Sequence, residues 1–382
     1  LGVANTPAWR GLAYIVFSNL PLANYGNSLA GAQVRVEVMQ TAVYGAEGFS
    51  YAAPDNRWLR TAQFKGKYWS AGGNNGPATP RLCHSPDGQT WTTSTALDFT
   101  DAWLKMANND SVALVFAGYG DGRVARSSDL VSWTTISSPG GELWWQNVIV
   151  NGQTVLALGS ISAATTDGVT WSTGTAPTSP SVTNSYMGTH NGSVYCIALS
   201  ANAGRLATSV TGLSAWVTRT VPGFNYMKGV TTGPGGLLVA LGELISAGNR
   251  THVVTSIDNG VTWSAPIDIP FAHNTIQEIA WNGFEYIVPE INYTYLYTSP
   301  DLANWTRHNH PDSGLFWGPP VWDGAFWNMI QANNNEPSRF VRFRTNAVVG
   351  VGSPTLGTIV SAECLESGLL TAADLDITAL TQ

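Results

Sequence analysis

Apolar and polar residues alternate in short runs over most of the chain, and tight turns separate these runs. In one stretch, an alternating run from Trp281 to Val288 contains an Asn282-Gly283 turn, and the run that begins at Tyr295 ends at a second turn. Alternation with period two predicts strands with one buried face. Asn-Gly between two such runs predicts a hairpin, because both central residues of its preferred turn take positive φ. No segment between residues 42 and 345 keeps a helical period, so the pattern predicts an all-β region.

Hairpin turns of this kind recur seven times. They lie at Lys65-Gly66-Lys67, Asn108-Asn109-Asp110, Asn151-Gly152, Asn191-Gly192, Pro234-Gly235-Gly236, Asn282-Gly283 and Asp323-Gly324. Six of them are followed by a second turn that ends in tryptophan, and these tryptophans are spaced by 42, 38, 45, 47 and 42 residues. A period of this size indicates one supersecondary unit that is repeated and stacked.

Each repeat reads strand, hairpin turn, strand, variable loop, strand, tryptophan turn, strand. Four short antiparallel strands per repeat describe a blade of a β-propeller. Seven hairpins and six tryptophan turns leave the last blade incomplete, and the segment from Ala42 to Tyr51 is predicted to supply its closing strand. We predict a seven-bladed propeller, with six blades as the alternative.

The tryptophan turns share an order of residues, as in Thr166-Asp167-Gly168-Val169-Thr170-Trp171, and the fourth copy has Thr211 where Asp is expected. This order resembles the Asp-box, or BNR repeat, of sialidases and many other propellers. In such a turn the Asp and Ser or Thr side chains bond to the local backbone and Gly supplies the left-handed position. The tryptophan is expected to pack against the next blade. The residues predicted to hold these turns and pack the blades are Ser85, Asp87, Trp91, Asp129, Trp133, Asp167, Trp171, Trp216, Asp258, Trp263, Asp301 and Trp305.

The two ends of the chain do not follow the repeat. The N-terminal end contains RGLAYIVFSNLPLANYGN at residues 10–27, and the C-terminal end contains TLGTIVSAECLESGLLTAADLDITAL at residues 355–380. Helical spacing in the C-terminal stretch predicts a short amphipathic helix between Pro354 and Gly368. The residues with this spacing are Leu356, Ile359, Val360 and Cys364.

Both ends resemble parts of the tail hub or tail-tip proteins of long-tailed bacteriophages and gene transfer agents. The resemblance implies a small α+β hub domain formed by the two termini, with a strand at residues 34–38, and it makes the propeller an insertion. The expected domains are an N-terminal hub arm at 1–41, the Asp-box propeller at 42–348 and a C-terminal hub arm at 349–382. The resemblance also implies a location at the tail tip or baseplate of a virion, contacts with other tail proteins and a homotrimer. The chain is expected to be a piece of a longer hub protein.

Composition narrows the function further. Charged residues make up only 11% of the chain, so neutral polar residues must cover the surface, as suits a virion part or an adhesin. The net charge of −7 and the lack of a basic run argue against nucleic-acid binding. The one basic cluster, from Arg339 to Arg344, is interpreted as a strand with a solvated arginine face. The chain contains no run of eighteen apolar residues, so membrane insertion is not predicted. No motif predicts a metal or a cofactor.

A hydrolase is the alternative of a different class. The turns resemble those of sialidases, whose active site needs converging arginines, a Tyr-Glu nucleophile and an acid Asp. The Arg-Ile-Pro signature of sialidases is absent from this chain, and the arginines have no fixed position in the blades. A propeller glycosidase acting on host surface polysaccharide would need another pair of carboxylates. Its candidates are Glu142, Glu278, Glu285 and Glu290.

Binding without catalysis is the preferred interpretation. The loops between the second and third strands should open at one end of the propeller, and they are rich in amides, hydroxyls and aromatic rings that suit a host surface glycan. The candidate ligand-binding residues are Asn74, Asn75, Tyr119, Asp121, Arg123, Asn249, Arg250, Asn292, Tyr293, Asn333, Asn334, Asn335 and Glu336. A third hypothesis is a structural decoration that contacts other tail subunits.

Adjacent tryptophans at 144 and 145 add one more candidate. On a strand one of the two faces the core and the other does not. The outer indole is a candidate sugar-stacking platform, although packing between blades is favoured. Trp317 and Trp322 carry the same ambiguity.

Overall fold

The computed structural model describes residues 34–36, 44–52, 58–73, 81–94, 97, 104–117, 122–142, 144–177, 185–199, 204–247, 250–270, 278–290, 295–309, 315–316, 320–333, 336–348 and 357–359. Internal contacts divide the chain into one unit at Gly48–Arg344 and a second unit made of both ends, Leu1–Glu47 and Thr345–Gln382. In the described part of the chain there is no α-helix, and three short 3-10 turns lie at Pro139–Gly141, Pro234–Gly236 and Ile245–Ala247.

The strands are numbered in chain order. They are β1 (Val34–Val36), β2 (Tyr44–Ala52), β3 (Trp58–Phe64), β4 (Lys67–Gly73), β5 (Arg81–Ser85), β6 (Thr92–Thr93), β7 (Leu104–Asn108), β8 (Ala113–Ala117), β9 (Val124–Ser127), β10 (Thr134–Ile136), β11 (Asn147–Asn151), β12 (Thr154–Leu158), β13 (Ile161–Thr165), β14 (Ser172–Thr175), β15 (Ser185–His190), β16 (Tyr195–Leu199), β17 (Arg205–Ser209), β18 (Val217–Thr220), β19 (Phe224–Thr232), β20 (Leu238–Leu244), β21 (Arg250–Ser256), β22 (Ile267–Asp268), β23 (Ala280–Trp281), β24 (Tyr286–Pro289), β25 (Tyr295–Ser299), β26 (Thr306–Asn309), β27 (Leu315–Phe316), β28 (Val321–Trp322), β29 (Trp327–Asn333), β30 (Glu336–Val348) and β31 (Gly357–Ile359).

Seven antiparallel sheets form the blades of a propeller. Blades 1 to 6 each consist of four consecutive strands: β3–β6, β7–β10, β11–β14, β15–β18, β19–β22 and β23–β26. In blade 7, β27 and β28 pair with β29, β29 pairs with β30, and β30 pairs with β2. The N-terminal side therefore supplies the outer strand of the last blade, as predicted. The prediction of seven blades is confirmed, and the six-bladed alternative is wrong.

The apolar core lies between consecutive blades. On β8, Leu114 and Phe116 belong to a cluster shared with Trp145 of blade 3, whereas Val115 belongs to a cluster shared with Trp69 of blade 1. All five residues of β8 are buried, because each sheet is covered on both sides. This explains why the second strand of a blade reads as a continuous apolar run while the outer strand stays polar.

The predicted helix between Pro354 and Gly368 is wrong at residues 357–359. These residues form β31, which pairs antiparallel with β1, and Arg35 lies opposite Thr358. Thr358 and Ile359 are β-branched and favour extended backbone, and a short run of apolar residues fits strand and helix spacing alike. The strand that the hub resemblance implied at residues 34–38 is present at Val34–Val36. The rest of the predicted helix lies outside the described residues.

The interpretation of Arg342 as part of a solvated arginine face is also wrong. Arg342 lies on β30 and donates from Nη2 to Asp323 Oδ2 at 2.8 Å and to the Tyr68 hydroxyl at 2.9 Å. Its guanidinium also lies over the ring of Phe326, 4.3 Å from the centroid. Blade 1 covers this side of β30, since the neighbouring Phe340 packs on Tyr68 with ring centroids 5.3 Å apart. The sequence indicates an exposed strand here because the blade that covers it is distant in sequence.

Candidate functional site

The strand order gives the propeller two ends with different structure. In each of blades 1 to 6, the hairpin turn between the first two strands and the tryptophan turn between the last two lie at one end, because adjacent strands are antiparallel. We call this end the turn face. The loops between the second and third strands and the connections between blades lie at the other end, the loop face. The candidate ligand-binding residues were predicted for the loops of this face.

The aspartates of the tryptophan turns accept hydrogen bonds from their own turns. Asp167 Oδ1 accepts hydrogen bonds from the N–H groups of Val169 at 2.7 Å and Thr170 at 2.8 Å, and Thr165 Oγ1 accepts from Gly168 at 2.8 Å. These backbone bonds lower the pKa of Asp167 to about 2. Equivalent carboxylate bonds form in the turns of three further aspartates, Asp87, Asp129 and Asp301. The aspartates therefore hold the turns although they are exposed.

The fourth tryptophan turn keeps this geometry without an aspartate. Thr211 Oγ1 accepts from the N–H groups of Leu213 and Ser214, both at 3.2 Å. Ser209 Oγ accepts from Gly212 at 3.0 Å. A neutral hydroxyl thus takes the place of the carboxylate, with longer hydrogen bonds.

Each tryptophan of these turns packs against the preceding blade, so the expectation of packing on the next blade is wrong. The ring of Trp171 in blade 3 lies 6.1 Å from Phe116 in blade 2, and Trp91 in blade 1 lies 5.2 Å from Phe340 in blade 7. A period of two indicates that a side chain leaves one side of its sheet, but it does not indicate which neighbour covers that side.

Amides of the hairpin turns join neighbouring blades across the turn face. Asn109 Nδ2 in blade 2 donates to the carbonyls of Gln153 at 2.6 Å and Thr166 at 2.8 Å in blade 3. Asn191 Nδ2 in blade 4 donates to the carbonyl of Gly236 in blade 5 at 2.9 Å. The polar groups of the turn face are thus largely used to hold the ring together.

Two adjacent tryptophans lie on the loop face between blades 2 and 3. Trp145 is fully buried: its ring lies 5.9 Å from Phe116, and its Nε1 donates to the carbonyl of Gly122 at 2.7 Å. Trp144 is 38% exposed. As predicted, one tryptophan faces the core and the other does not. Gly122 belongs to the candidate ligand-binding loop of blade 2, so both tryptophans lie beside that loop.

A buried carboxylate fixes the backbone of Trp144. Glu142 is 5% exposed, and its Oε1 accepts from the N–H of Trp144 at 2.8 Å. Its Oε2 accepts from Ser160 Oγ at 2.7 Å and from the N–H of Ile161 at 3.0 Å. A Cβ added at Gly159 would lie 2.6 Å from Oε2, so the loop of blade 3 can approach this carboxylate only with glycine there. One side chain therefore joins two segments of the loop face.

Of the candidate ligand-binding residues, the structure describes the side chains of two. Arg123 is partly buried and directly precedes β9, and Arg250 lies at the start of β21, with Nη2 3.5 Å from Asp268 Oδ1. Asn333 and Glu336 are backbone partners where β29 and β30 meet. The remaining candidates lie outside the described residues: Asn74, Asn75, Tyr119, Asp121, Asn249, Asn292, Tyr293, Asn334 and Asn335.

The four candidate carboxylates of a glycosidase occupy different parts of the propeller. Glu142 binds the loop backbone in blade 3, whereas Glu285 follows a hairpin turn in blade 6 and accepts from Trp327 Nε1 at 3.2 Å. Glu290 is fully buried at the loop-face end of β24 and accepts from the Tyr297 hydroxyl at 2.9 Å. Glu278 precedes β23. Glu285 and Glu290 are thus at opposite ends of the same strand.

Sequence reasoning missed a buried ion pair in blade 5. Lys228 Nζ on β19 lies 2.6 Å from Glu243 Oε1 on β20, and the two side chains are 8% and 13% exposed. Burial lowers the pKa of Lys228, and the hydrogen bond to Glu243 opposes this effect. The pair forms where the register of β19 shifts between Met227 and Gly229. No feature of the sequence marks this irregularity.

No group of three or more His, Cys, Asp or Glu side chains in the described residues could hold a metal ion. No helix among these residues is long and apolar enough to cross a membrane.

Comparison with solved structures shows the fold. Virginiamycin B lyase from Staphylococcus aureus is 11% identical, with a TM-score of 0.60 over 78% of this chain and 99% of the lyase chain. YCF48 bound to D1 peptide is 14% identical, with a TM-score of 0.58 over 80% and 97% of the two chains. The Pan2 WD40 domain of Neurospora crassa is 10% identical, with a TM-score of 0.57 over 81% and 97%.

These similarities define the chain as a β-propeller protein. No family model and no curated protein matches the sequence. The same fold serves a lyase and a protein bound to a peptide, so the activity has to be argued from the site itself.

Proposed function

We propose that the chain is a segment of a phage tail hub or tail-tip protein whose propeller binds the host cell surface, through a glycan, at the loop face. The two motifs at the chain ends support the hub part of this proposal. The bonding of the Asp carboxylates within five of the six tryptophan turns supports classing these turns as Asp-boxes. In this proposal the protein is located at the tail tip or baseplate of the virion, contacts other tail proteins and forms a homotrimer.

The binding proposal rests on a difference between the two ends of the propeller in how their polar groups are bonded. On the turn face, carboxylates and amides bind within a turn or between blades. On the loop face, Arg250 and Asp268 have side chains that are 44% and 49% exposed and lie 3.5 Å apart. An exposed pair at this distance is weakly coupled, so its polar groups can exchange partners with ligand hydroxyls. The exposed indole of Trp144 adds an apolar surface at the same end.

We further propose that the propeller is not a hydrolase. A retaining glycosidase needs two carboxyl groups about 5–5.5 Å apart and an inverting one about 6.5–9.5 Å apart, both facing the substrate. Glu142 is buried with its two oxygens bonded to backbone and to Ser160, and Glu285 lies at the turn face. This arrangement favours binding without turnover.

Binding of the 382-residue chain to an array of bacterial surface polysaccharides tests the proposal, run beside adsorption to intact cells and to cells stripped of polysaccharide. Saturable binding that disappears on stripped cells is the expected result. Release of sugar from the array would favour the glycosidase. Absence of binding to both array and cells would overturn the adhesin proposal and favour a structural decoration that contacts other tail subunits.

A further inference from the structure

The loop face carries an exposed aromatic side chain whose backbone is held on both sides. Among the residues whose side chains the structure describes, two Phe or Trp side chains are exposed: Trp144, at 38%, on the loop face and Phe284, at 71%, on the turn face. Phe284 follows Gly283 at the tip of a hairpin, where φ is 101°, and its N–H donates to Asn282 Oδ1 of the same turn. Trp144 differs because its own N–H binds the Glu142 carboxylate and because the residue that follows it, Trp145, is buried and hydrogen-bonded.

One part of this framework is Trp145. Its indole fills the space between blades 2 and 3, and its Nε1 bond to Gly122 ties the connection between these blades to the candidate loop of blade 2. A buried tryptophan at this position leaves the preceding residue little freedom to move, since its removal would open a large cavity in the core. Trp144 is therefore presented by a rigid segment.

The other part is Glu142. Its two carboxylate oxygens accept the N–H of Trp144, the hydroxyl of Ser160 and the N–H of Ile161, which joins the Trp144 segment to the loop of blade 3. Hydrogen bonds to an ionised acceptor are roughly twice as strong as neutral ones. Because these oxygens already bind donors of the protein, Glu142 acts on a ligand through the position of Trp144.

An indole held in this way has a defined chemical preference. The face of its π-system is negative, so it attracts the weakly positive C–H groups of a flat apolar surface. A pyranose ring offers such a surface on one side and hydroxyl groups at its edge. A platform that is ordered before binding also avoids part of the entropy cost of fixing a side chain.

We propose that Trp144 is a stacking platform for the apolar face of a pyranose ring and that Glu142 is the positioning residue that holds this platform. The inference rests on the proposed glycan-binding function and names the contact that binds one sugar unit. It also identifies the loop face between blades 2 and 3 as the part of the ring where this unit lies.

Three variants of the 382-residue chain test this inference on the same polysaccharide array, with affinity measured by titration of the best-binding polysaccharide. Trp144→Ala is expected to weaken binding by about tenfold or more, as for other aromatic anchors. Phe284→Ala removes an exposed aromatic side chain from the opposite face and is expected to bind as the wild type does. Wild-type binding with an unchanged affinity of Trp144→Ala would overturn the platform but leave the proposed function standing. A wild type that binds nothing would overturn both.

Glu142→Gln tests whether Glu142 positions Trp144 or only contributes to folding. The amide nitrogen of glutamine would face the donors at Ser160 or Trp144, so hydrogen exchange at the Trp144 and Ile161 amides is expected to accelerate by about tenfold. Affinity is expected to fall severalfold while the thermal unfolding of the propeller stays cooperative. Unchanged exchange and unchanged affinity would overturn the positioning role. If this variant does not fold, Ser160→Ala, which removes one donor to Oε2, replaces it with the same two measurements and the same criterion.

Discussion

Tyr68 in blade 1 donates a hydrogen bond of 2.5 Å from its hydroxyl to Oδ2 of Asp323 in blade 7. Arg342 donates to both groups, and the Asp323 side chain is only 3% exposed. Burial by itself would raise the pKa of Asp323, but the hydrogen bonds from Tyr68 and from the N–H of Phe326 lower it overall. A charged network thus links the last blade to the first at the seam where the ring closes.

Replacement of Arg342 by methionine is expected to weaken this seam. The change keeps much of the apolar stem but leaves Asp323 buried without its cation, which costs about 2–4 kcal/mol of unfolding free energy. Chemical denaturation measures the loss. Arg339→Met makes the same chemical change at an exposed position of the same strand and is expected to stay within about 0.5 kcal/mol of the wild type. Equal stability of the two variants would show that the network does not hold the seam.

Acid is expected to weaken the tryptophan turns. The pKa of Asp167 is about 2 in the folded chain against its ordinary value of 3.8, so the folded state binds fewer protons than the unfolded state. The stabilisation is therefore complete above about pH 4 and is lost as the pH falls through about 2. Asp167→Asn is expected to be less stable at neutral pH and to lose less stability over this acid range. Denaturation curves from about pH 7 to about pH 2 measure both effects.

The control for this acid effect is Thr166→Ala, which changes an exposed side chain of the same turn and leaves the carboxylate bonds intact. This variant is expected to keep the pH dependence of the wild type. Parallel curves for the wild type and Asp167→Asn would mean that the backbone bonds to this carboxylate do not contribute to stability.

The fourth turn offers a gain of stability. Thr211 Oγ1 accepts from the N–H groups of Leu213 and Ser214 at 3.2 Å, whereas the corresponding bonds to Asp167 are 2.7 and 2.8 Å. Thr211→Asp places an ionised acceptor there and is expected to raise the unfolding free energy by about 1 kcal/mol. Thr211→Asn supplies the same shape without the charge and is expected to gain less. No gain from Asp over Asn would show that charge is unimportant in this turn.

The blades could be predicted from the sequence because their determinants are local. The carboxylate bonds of the tryptophan turns join residues two to four positions apart, as from Asp87 to Gln89 and Thr90 and from Asp258 to Thr262. The hairpin glycines also act locally, since Gly152 has a φ of 55° and its turn joins consecutive strands. A motif of this kind carries its own geometry, so its repetition was enough to predict the seven blades.

Features that depend on distant partners could not be predicted. Tyr68 and Asp323 are separated by 255 positions, and no local pattern connects them, so Arg342 was wrongly interpreted as solvated. The candidate site shows the same limit. The alternation of a strand predicted one buried indole at residues 144 and 145, but the carboxylate that holds Trp144 became visible only with Ser160 and Ile161 beside it. The loop residues from Asn74 to Asn335 stay predictions where they lie outside the described chain.

In two of the tryptophan turns, leucine replaces glycine at the left-handed position. Leu130 has a φ of 69° and Leu302 a φ of 66°, a region that costs a non-glycine residue about 1 kcal/mol or more. Leu130 is only 1% exposed and packs in the cluster between blades 1 and 2, so its burial outweighs the strain. Leu130→Gly relieves the backbone but loses the side chain, and a net loss of about 2 kcal/mol is expected. Leu130→Ala loses most of the same contacts and keeps the strain, so it should be the least stable of the three chains. Denaturant midpoints of the wild type and both variants give the order, and a glycine variant more stable than the wild type would show that strain, not burial, dominates this turn.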